Sequence, residues 1–391
     1  MKILIIAPWI GLGGAEILSI HLAHELKRLG HNVTIATLFV DHKGLPPIAK
    51  SNFYLTPPKI ISKLCHKWRL AFFIIGPIFL FLTVLKHARE VDILNPHNFP
   101  SFWVAFLVSK LRKIPVVWTC NEPPPIPRKK DIPTIGIFDY LGWTIASSRV
   151  DTFFVSHFKG PIVVPSLKTQ KDVLKRYNKK SYINYIGIDY DFFSKGKVRS
   201  KIEGIEIKDK FVLACIGKLH PQKNQEIILQ ALSLVSAKIP KACLLLVGDG
   251  PEKDRLKLTA QRLKIAGKTF FLGVVKRNVL RDVYRNTNIN LFPAIDHQSW
   301  GFTPIEALCT GVISIASKDT GVSEFLQEGS CGVVAEATAE SFAEEILQVY
   351  KNRSKYTKMA NKGREIVKKN LTWTAYASRY LDIIFSYGEK Y

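Results

Sequence analysis

The chain begins with a strand–helix–strand pattern of the kind that builds parallel sheets. Residues 3–7 form a continuous apolar run, which is typical of a strand buried on both faces. Residues 16–29 carry isoleucines and leucines at helical spacing, and Gly30 can end that helix in the left-handed conformation. A second strand is predicted over residues 33–37. Two strands joined by a helix run in the same direction, so the pattern favours an α/β fold.

A glycine-rich turn containing Gly11, Gly13 and Gly14 joins the first strand to the first helix. Glycines before a helix let backbone N–H groups approach an anion, so one interpretation is phosphate binding. The other is a loop that only needs small residues. A dinucleotide site is an alternative that fits less well, because Pro8 and Trp9 follow the strand and no acidic residue closes the second strand.

The second half of the chain repeats the alternation of strands and helices. Strand patterns fall at 211–216, 242–247, 269–272, 289–294 and 312–316, with helix patterns between them. Apolar periodicity is lost over 186–205, which indicates a domain boundary there. The predicted fold class is α/β, with two Rossmann-like doubly wound parallel-sheet domains facing a cleft. Ligands in such sheets bind at the carboxyl ends of strands, so that cleft is the expected site.

Charge and cysteine usage limit the classes of partner. The 391 residues carry a formal net charge of +24, and residues 1–190 hold 25 Lys and Arg against 11 Asp and Glu. This excess predicts an anionic partner, and the lack of any DNA- or RNA-binding pattern favours a lipid surface or phosphorylated substrate over nucleic acid. The alternative is that the basic balance only reflects a solvated surface. The six cysteines form no C-x-x-C pair, so we expect buried free thiols, a reducing compartment and no zinc site. Met1 leads directly into the first strand, so no secretory signal is expected.

An uncharged apolar stretch covers residues 70–85 and is flanked by basic residues. Its 16 residues are fewer than the ~20 that span a bilayer, and Pro77 interrupts it. We expect a buried helix or one that dips into the membrane interface with its basic flanks on lipid headgroups. A spanning helix is the less favoured alternative.

Two loops after strands of the second half carry residues suited to phosphate. Gly217, Lys218 and Lys223 follow the first of these strands, and two lysines on one loop can both reach a diphosphate. Such lysines are also common as plain surface charge. A further strand-to-helix turn, at 318–324, has the same general form.

The segment from Gln298 to Leu308 combines several features of an anion site. Gly301 allows close backbone approach, Thr303 can cap a helix, and Pro304 suits its first turn. The helix N-terminus would offer N–H groups to a phosphate. Glu306 is expected in the first turn, where it could accept hydrogen bonds from two ribose hydroxyls or only complement the helix dipole.

The order of these motifs resembles the retaining glycosyltransferases of family 4, which have the GT-B fold. The matching stretches are GLGGAE at 11–16, GKLHPQK at 217–223, VGDGPE at 247–252, SWGFTPIEAL at 299–308 and GVSE at 321–324. The resemblance implies an acceptor-binding domain over 1–190 and a nucleotide-sugar-binding domain over 191–371. It also implies that a C-terminal helix, about 372–391, crosses back to the first domain.

The resemblance assigns roles to residues of the second domain. Lys218 and Lys223 take the places of an Arg and a Lys that hold the donor diphosphate, and Lys218 lacks the guanidinium fork. Glu306 is expected to bind the ribose. Gln298 stands where the family has a second glutamate, so a carboxylate near the transferred sugar is replaced by an amide. The remaining donor-binding residues implied are Gly217, Gly273, Val274, Gly301, Phe302 and Thr303, together with Gly14 of the first domain.

In the first domain the resemblance implies contacts with the sugar and the acceptor. Asn121 stands where family members often carry a histidine, and an amide cannot transfer a proton at neutral pH. Glu122 beside it could supply a carboxylate, and Gly13 is expected on the acceptor side. His97, after the strand VDIL, is the other candidate for a catalytic role; a purely structural role is the alternative.

One acidic pair resembles a metal motif from other sugar transferases. Asp189 and Asp191 spell D-x-D and could hold Mg²⁺ across a diphosphate. They lie, however, where family 4 has an interdomain G-x-D segment, here Gly187 to Asp189. GT-B members generally use basic residues and helix dipoles instead of a metal, so no metal or other cofactor is expected.

The expected function is transfer of a hexose from a nucleotide sugar, with retention of anomeric configuration. GDP-mannose is favoured as donor, with UDP-sugars next, and the acceptor is expected to be lipid-linked or a glycan. The basic first domain favours a peripheral position at the cytoplasmic face of a membrane. Two alternatives remain: a glycosyltransferase-like partner subunit with weak or no catalysis, and a sugar-nucleotide epimerase, against which Gln298 argues.

Overall fold

A computed structural model describes residues 1–388, except residues 12, 43–44, 52–53, 125–135, 138–139, 142–143, 145–148 and 296–297. The chain divides into two compact units. Unit 1 comprises Met1–Gly187 together with the segment from Trp373 onward, and unit 2 comprises Ile188–Thr372.

Unit 1 is built on parallel strands. Two sheets, ordered β3-β2-β1-β4 and β5-β6-β7, contain only parallel pairs among the described strands. Parallel bridges between Leu94 and Val116 and between His97 and Thr119 place β5 beside β4. The strands are β1 (Lys2–Ile6), β2 (Asn32–Ala36), β3 (Tyr54–Leu55), β4 (Ile93–Pro96), β5 (Trp118–Thr119), β6 (Ile162–Val164) and β7 (Tyr182–Ile183).

Helices cover the sheet of unit 1. Neighbouring helices α2 and α3, α3 and α4, and α4 and α5 pack against each other. The apolar core beneath them includes Trp118, whose ring stacks on Phe102 at a centroid distance of 4.1 Å. The helices are α1 (Gly14–Arg28), α2 (Lys59–Lys67), α3 (Arg69–His87), α4 (Ser101–Arg112), α5 (Arg149–Ser156) and α6 (Leu167–Tyr177).

The apolar stretch at 70–85 forms most of α3, which contains Pro77. Within the described part of the chain, no helix has the length and apolarity needed to cross a membrane. All six cysteines are free and buried, as their positions in apolar runs predicted.

Unit 2 contains a six-stranded sheet ordered β12-β11-β10-β13-β14-β15, with every pair parallel. This is the doubly wound order of the Rossmann fold, with its switch point between β10 and β13. The prediction of two Rossmann-like parallel-sheet domains is therefore confirmed. The strands of unit 2 are β8 (Lys201–Ile202), β9 (Ile205–Glu206), β10 (Phe211–Ile216), β11 (Ala242–Val247), β12 (Thr269–Gly273), β13 (Ile289–Phe292), β14 (Ile313–Ser317) and β15 (Val333–Ala335).

The helices of unit 2 lie between these strands and after the last one. They are α7 (Tyr190–Phe193), α8 (Gln225–Val235), α9 (Lys253–Arg262), α10 (Arg277–Arg285), α11 (Phe302–Cys309), α12 (Gly321–Glu328), α13 (Ala339–Lys351) and α14 (Arg353–Asn370). Strand β8 pairs with β9 as a short antiparallel hairpin outside the main sheet.

The last helix, α15 (Trp373–Gly388), belongs to unit 1 and packs on α1. The Thr374 hydroxyl donates a 2.8 Å hydrogen bond to Glu25 of α1, and the ring of His21 stacks on Trp373 at 4.2 Å. The Asn184 amide donates to the backbone oxygen of Tyr376 at 3.1 Å. Residues 389–391, which the sequence assigned to this helix, lie outside the described residues.

Candidate functional site

The loops that leave β10, β11 and β12 are joined by backbone hydrogen bonds at the carboxyl edge of the unit 2 sheet. Gly217 N–H donates to Val247, Leu219 N–H to Asp249, and Gly248 N–H to Gly273, at 2.9, 3.0 and 2.8 Å. Gly248 has φ +130°, and a Cβ there would lie 2.1 Å from the carbonyl oxygen of Gly217. Glycine is therefore required where these two loops cross.

Lys223 and Gln298 meet across the switch point of this sheet. The Lys223 ammonium donates to Gln298 Oε1 at 2.6 Å and lies 5.4 Å from the centroid of the Phe292 ring. The Ile295 N–H donates to the carbonyl of Gln222 at 2.9 Å, which ties the loop after β13 to the loop after β10. Lys218 is exposed on the same loop as Lys223. The two lysines that the sequence singled out thus lie at the edge where doubly wound sheets bind ligands.

Helix α11 begins at Phe302, with Gly301 as its N-cap at φ +157°. A Cβ at Gly301 would lie 2.8 Å from the Phe292 ring. No side chain caps this helix end. The expectation that Thr303 caps the helix is wrong, because the helix starts two residues earlier than such a cap requires and Thr303 lies inside it. Its buried hydroxyl has no hydrogen-bond partner among the described residues.

Glu306 lies one turn into α11, so its expected place in the first turn is also wrong. Its carboxylate accepts a 2.5 Å hydrogen bond from the hydroxyl of Tyr284, which is fully buried on α10. Burial raises the pKa of Glu306 to about 7, while the Tyr284 hydroxyl and the charge of Arg277 act in the opposite direction. The carboxyl group therefore changes its charge near neutral pH.

The other donor-side residues of unit 2 lie at neighbouring strand ends. Gly273 ends β12 with φ +67°, and the side chain of Val274 after it is 82% exposed. The backbone N–H of Gly321, at the start of α12, donates to the carbonyl of Gln298 at 2.8 Å. The turn at 318–324 therefore meets the loop that carries Gln298.

In unit 1 the glycine loop leads into α1 as predicted. Gly13 is the N-cap, Gly14 is the first helical residue, and both are exposed. A Cβ at Gly13 would lie 2.0 Å from a carboxylate oxygen of Glu16, whose side chain folds over it. Burial raises the pKa of Glu16. Leu12 of this loop lies outside the described residues.

Three further sequence-predicted residues follow β4 and β5. His97 is 1% exposed, and burial lowers its pKa to about 3, so the ring is neutral. The backbone N–H of Asn121 donates to Asn98 Oδ1 at 3.1 Å. The Asn121 side chain is buried, and neither of its polar atoms has a hydrogen-bond partner within the described ranges. Glu122 lies next to it and is half-buried.

Asp189, the first residue of the D-x-D pair, has a structural role. Asp189 caps α7 by accepting the Phe192 N–H at 3.2 Å, and its carboxylate pairs with Arg277 at 3.0 Å. Among the described residues, no group of three or more His, Cys, Asp or Glu is arranged to hold a metal ion.

The structure adds two residues that sequence reasoning missed. Tyr284 has no sequence signal, because a tyrosine in an amphipathic helix is ordinary core. Asn95 could have been noticed, since it is a polar residue within an apolar strand. Its side chain lies 2.8 Å from His97 Nε2 and is fully buried.

Family models match both units. The Glycosyltransferase Family 4 model covers residues 12–192, and the Glycosyl transferases group 1 model covers residues 198–366. A GDP-mannose-dependent alpha-(1-6)-phosphatidylinositol monomannoside mannosyltransferase of Mycobacterium tuberculosis is 24% identical over 51% of this chain and 54% of that protein. The chain thus matches about half the length of that relative. An N-acetyl-alpha-D-glucosaminyl L-malate synthase of Bacillus anthracis is 25% identical over 96% of this chain and 94% of that protein.

Solved structures of other proteins share the fold. Anabaena Alr3699/HepE in complex with UDP and glucose superposes with a TM-score of 0.74 at 18% identity, over 99% of this chain and 100% of that one. WaaG, a glycosyltransferase involved in lipopolysaccharide biosynthesis, gives a TM-score of 0.70 at 15% identity, over 98% and 99% of the two chains. The chain therefore belongs to the family 4, group 1 glycosyltransferases and has their GT-B fold of two Rossmann-like domains.

Proposed function

We propose that this chain is a retaining, metal-independent hexosyltransferase that uses a nucleotide-sugar donor and a lipid-linked or glycan acceptor. The observation that carries the proposal is the meeting of Lys223 and Gln298 at the switch point of the unit 2 sheet, 2.6 Å apart. A cation held beside an uncapped helix N-terminus suits a diphosphate. The M. tuberculosis relative, which its name describes as GDP-mannose-dependent, supports GDP-mannose as first choice, and the UDP complex of the Anabaena protein supports UDP-sugars as second.

In this proposal unit 2 binds the nucleotide. Lys218, Lys223 and the N–H groups of Phe302 and Thr303 stabilise the diphosphate, and Glu306 accepts hydrogen bonds from the ribose. The backbone at 273–274 meets the base, and Gln298 lies near the transferred sugar. These groups would stabilise the negative charge that grows on the leaving phosphate.

Unit 1 supplies the contacts of the sugar and acceptor, through Gly13, Gly14, His97, Asn121 and Glu122. The acceptor hydroxyl oxygen forms a bond to the anomeric carbon on the face from which the phosphate oxygen departs. The hydroxyl proton passes to that departing β-phosphate oxygen, so no protein base is required. Because His97 is neutral and Asn121 cannot titrate, both would act by hydrogen bonding.

We also propose that unit 1 sits on the cytoplasmic face of an anionic membrane, through an outer helical face. Exposed apolar side chains lie on α3 and α4, which pack together, and on α5, which packs on α4: Ile74, Ile78, Leu82, Leu107, Leu111 and Phe153. From residue 42 to residue 121 the chain has eleven Lys and Arg and two acidic residues. Both acidic residues accept hydrogen bonds from Lys2: Glu90 from its ammonium group at 2.8 Å, and Asp92 from its backbone N–H at 2.7 Å. Exposed apolar side chains on a segment with this excess of basic charge are complementary to acidic lipid headgroups.

A thermal shift experiment with GDP, UDP, ADP and NAD, each with and without Mg²⁺, tests the donor proposal. A ligand at 100 times its dissociation constant adds ~2.7 kcal/mol to the free energy of unfolding, which is measurable. We expect GDP or UDP to stabilise the chain without Mg²⁺. Stabilisation by NAD alone would overturn the proposal.

Two lysine variants test whether Lys223 itself contributes to nucleotide binding in the same experiment. Lys223→Ala should weaken nucleoside diphosphate binding by roughly 10- to 100-fold, since a hydrogen bond to a charged group contributes about 1.5–3 kcal/mol. Lys238→Ala, at an exposed lysine of the same unit, is the matched control and should bind like the wild type.

The alternative of a weak or inactive partner subunit is favoured by one observation. The Lys223 ammonium already has a partner in Gln298, the residue that replaces a family glutamate. If the nucleotides fail to stabilise the chain, this alternative replaces the enzyme proposal. Transfer of radiolabelled sugar from GDP-mannose or UDP-glucose to a lipid extract would decide between a binding subunit and an enzyme.

A further inference from the structure

Two polar side chains at the carboxyl ends of β4 and β5 are buried with atoms that have no partner. These are His97 Nδ1 and both polar atoms of the Asn121 side chain, as judged over the described residues. The side chains are 1% and 7% exposed. Buried polar atoms are nearly always hydrogen-bonded in folded proteins, so such a cluster calls for a ligand that completes it.

The same strand ends bring the two residues close together. His97 forms a parallel bridge with Thr119, and the Asn98 N–H donates to the Thr119 carbonyl at 3.2 Å. The side chain of Asn98 in turn accepts the backbone N–H of Asn121 at 3.1 Å. His97 and Asn121 are therefore held on adjacent strand ends through Asn98.

The hydrogen bonds of Asn95 determine where its amide oxygen lies. Asn95 Nδ2 is 2.7 Å from the carbonyl oxygen of Val117 and 2.9 Å from Thr119 Oγ1. The Val117 carbonyl oxygen can only accept a hydrogen bond, so the Asn95 amide nitrogen must face it. Reversing the amide would place two oxygens against each other. The Asn95 oxygen consequently faces His97 Nε2, at 2.8 Å.

This arrangement selects one form of the histidine ring. An amide oxygen can only accept a hydrogen bond, so His97 Nε2 must carry the proton. In a neutral ring the other nitrogen, Nδ1, is then a bare acceptor. Burial favours the neutral ring.

We infer that Asn95 is a positioning residue that holds His97 in the Nε2–H form, so that His97 Nδ1 and the Asn121 amide bind hydroxyls of a sugar. A hydroxyl can donate to the bare Nδ1, and the amide can both donate to and accept from a hydroxyl. A carboxylate or phosphate at Nδ1 would meet the lone pair with no proton between them. The subsite therefore binds hydroxyl groups and not anionic groups. This inference rests on the proposed function only in that the sugar is a substrate of the transferase.

The tautomer can be measured directly. Ring-¹⁵N histidine labelling gives long-range ¹H–¹⁵N correlations in which protonated and bare ring nitrogens resonate in separate ranges. The chain has 10 histidines, and His97→Gln assigns the relevant signals. We expect a bare Nδ1 and a protonated Nε2 at neutral pH. A protonated Nδ1, or a charged ring, overturns the inference.

The role of Asn95 is tested by Asn95→Leu, which should leave His97 with a mixture of both tautomers. Asn290→Ala is the matched control, because it removes another fully buried strand asparagine, in unit 2, and should leave the His97 signals unchanged. If Asn95→Leu keeps a single Nε2–H form, Asn95 has no positioning role. If that variant does not fold, the wild-type spectrum still decides the tautomer.

The ligand class is tested by titrating the wild-type chain with D-mannose and D-glucose, and separately with acetate and inorganic phosphate at neutral pH, in each case with saturating GDP or UDP. A hexose should shift the His97 Nδ1 signal, and the two anions should not. No shift with either hexose, or equal shifts with the anions, overturns the subsite. Nucleotide binding is read from the melting temperature, so failure of the proposed transferase function is seen separately.

Discussion

Lys223 and Gln298 are 75 positions apart in the chain, yet their side chains share a 2.6 Å hydrogen bond. Each lies on a loop that leaves one of two adjacent parallel strands, β10 and β13. The contact therefore depends on the strand order of the sheet. Glu306 and Tyr284 form a second pair in unit 2, and burial raises the pKa of the carboxyl group.

The first prediction concerns the pH dependence set by Glu306. With a folded pKa of about 7, the carboxyl group is mostly protonated at pH 6 and mostly ionised at pH 8. Only the ionised form accepts hydrogen bonds from both ribose hydroxyls, so affinity for GDP or UDP should rise about tenfold over this interval. Isothermal titration calorimetry at several pH values measures it.

Two variants separate this effect from titration of the nucleotide phosphates. Glu306→Gln should lose the protein's part of the pH dependence. Tyr284→Phe should move the midpoint to higher pH, because the tyrosine hydroxyl donates to the carboxylate and favours its charged form. A Glu306→Gln profile that matches the wild type would show that another group titrates.

At the scale of elements, close packing of loops and exposure of helix faces decide what each segment can do. The loops after β10 and β11 cross where Gly248 lies against Gly217, with no room for a side chain at Gly248. Helix α3 packs one face on the core and leaves Ile74, Ile78 and Leu82, spaced by four residues, in solvent. These two features can be tested independently because they lie in different units.

Gly248→Ala should destabilise unit 2 by roughly 3 kcal/mol or more, because it combines a strained positive φ with a backbone clash. It should also weaken nucleotide binding, since the Cβ pushes against the loop that carries Lys218 and Lys223. Gly267→Ala is the control, as a Cβ there meets nothing within 4 Å. Thermal melts compare the two, and equal melting temperatures would contradict the packing argument.

Ile78→Asp should reduce binding to phosphatidylserine-containing vesicles by roughly tenfold or more, because burying an isoleucine contributes about 1.5–3 kcal/mol. Ile78 is 58% exposed, so the fold should tolerate the change. Val198→Asp, at a 76% exposed valine of unit 2, is the control. Vesicle co-sedimentation at low and high salt measures both. Equal losses in the two variants, or binding that ignores lipid charge, would count against the outer helical face.

At the scale of the whole molecule, the chain ends in the unit where it began. Helix α15 completes the outer layer beside α1, and Arg379 donates to Asn184 Oδ1 and the Tyr185 carbonyl at 2.9 and 2.7 Å. These contacts lie within unit 1. Unit 2 keeps its own sheet and core without them.

Truncation after Thr372 should therefore weaken unit 1 and spare unit 2. Hydrogen–deuterium exchange should show faster exchange in α1, which loses its contacts with Trp373 and Thr374, and unchanged exchange in α8. Nucleoside diphosphate binding should persist. Faster exchange in α8, with α1 still protected, would be the opposite of this expectation.

Strand and helix patterns were readable from the chain because they depend on neighbouring residues. The apolar runs at 211–216 and 242–247 are β10 and β11 at the same bounds, and both are buried throughout. The motifs at Gly217, Lys223 and Gly301 were likewise visible, since glycine and charge mark loops at strand ends. The predicted start of α11 differs from the observed start at Phe302, and this difference misplaced Thr303 and Glu306. Helix ends are weakly encoded in a sequence.

The sequence by itself determined the alternation of strands and helices, the family and the loops that carry charge. Only the tertiary structure decided what surrounds each functional group. The carboxyl group of Glu306 meets the Tyr284 hydroxyl, and Asn95 faces His97, because packing joins residues that no local pattern connects. The charge state of a carboxyl group and the tautomer of a histidine depend on burial and on hydrogen-bond partners, and both arise only when strands and helices come together.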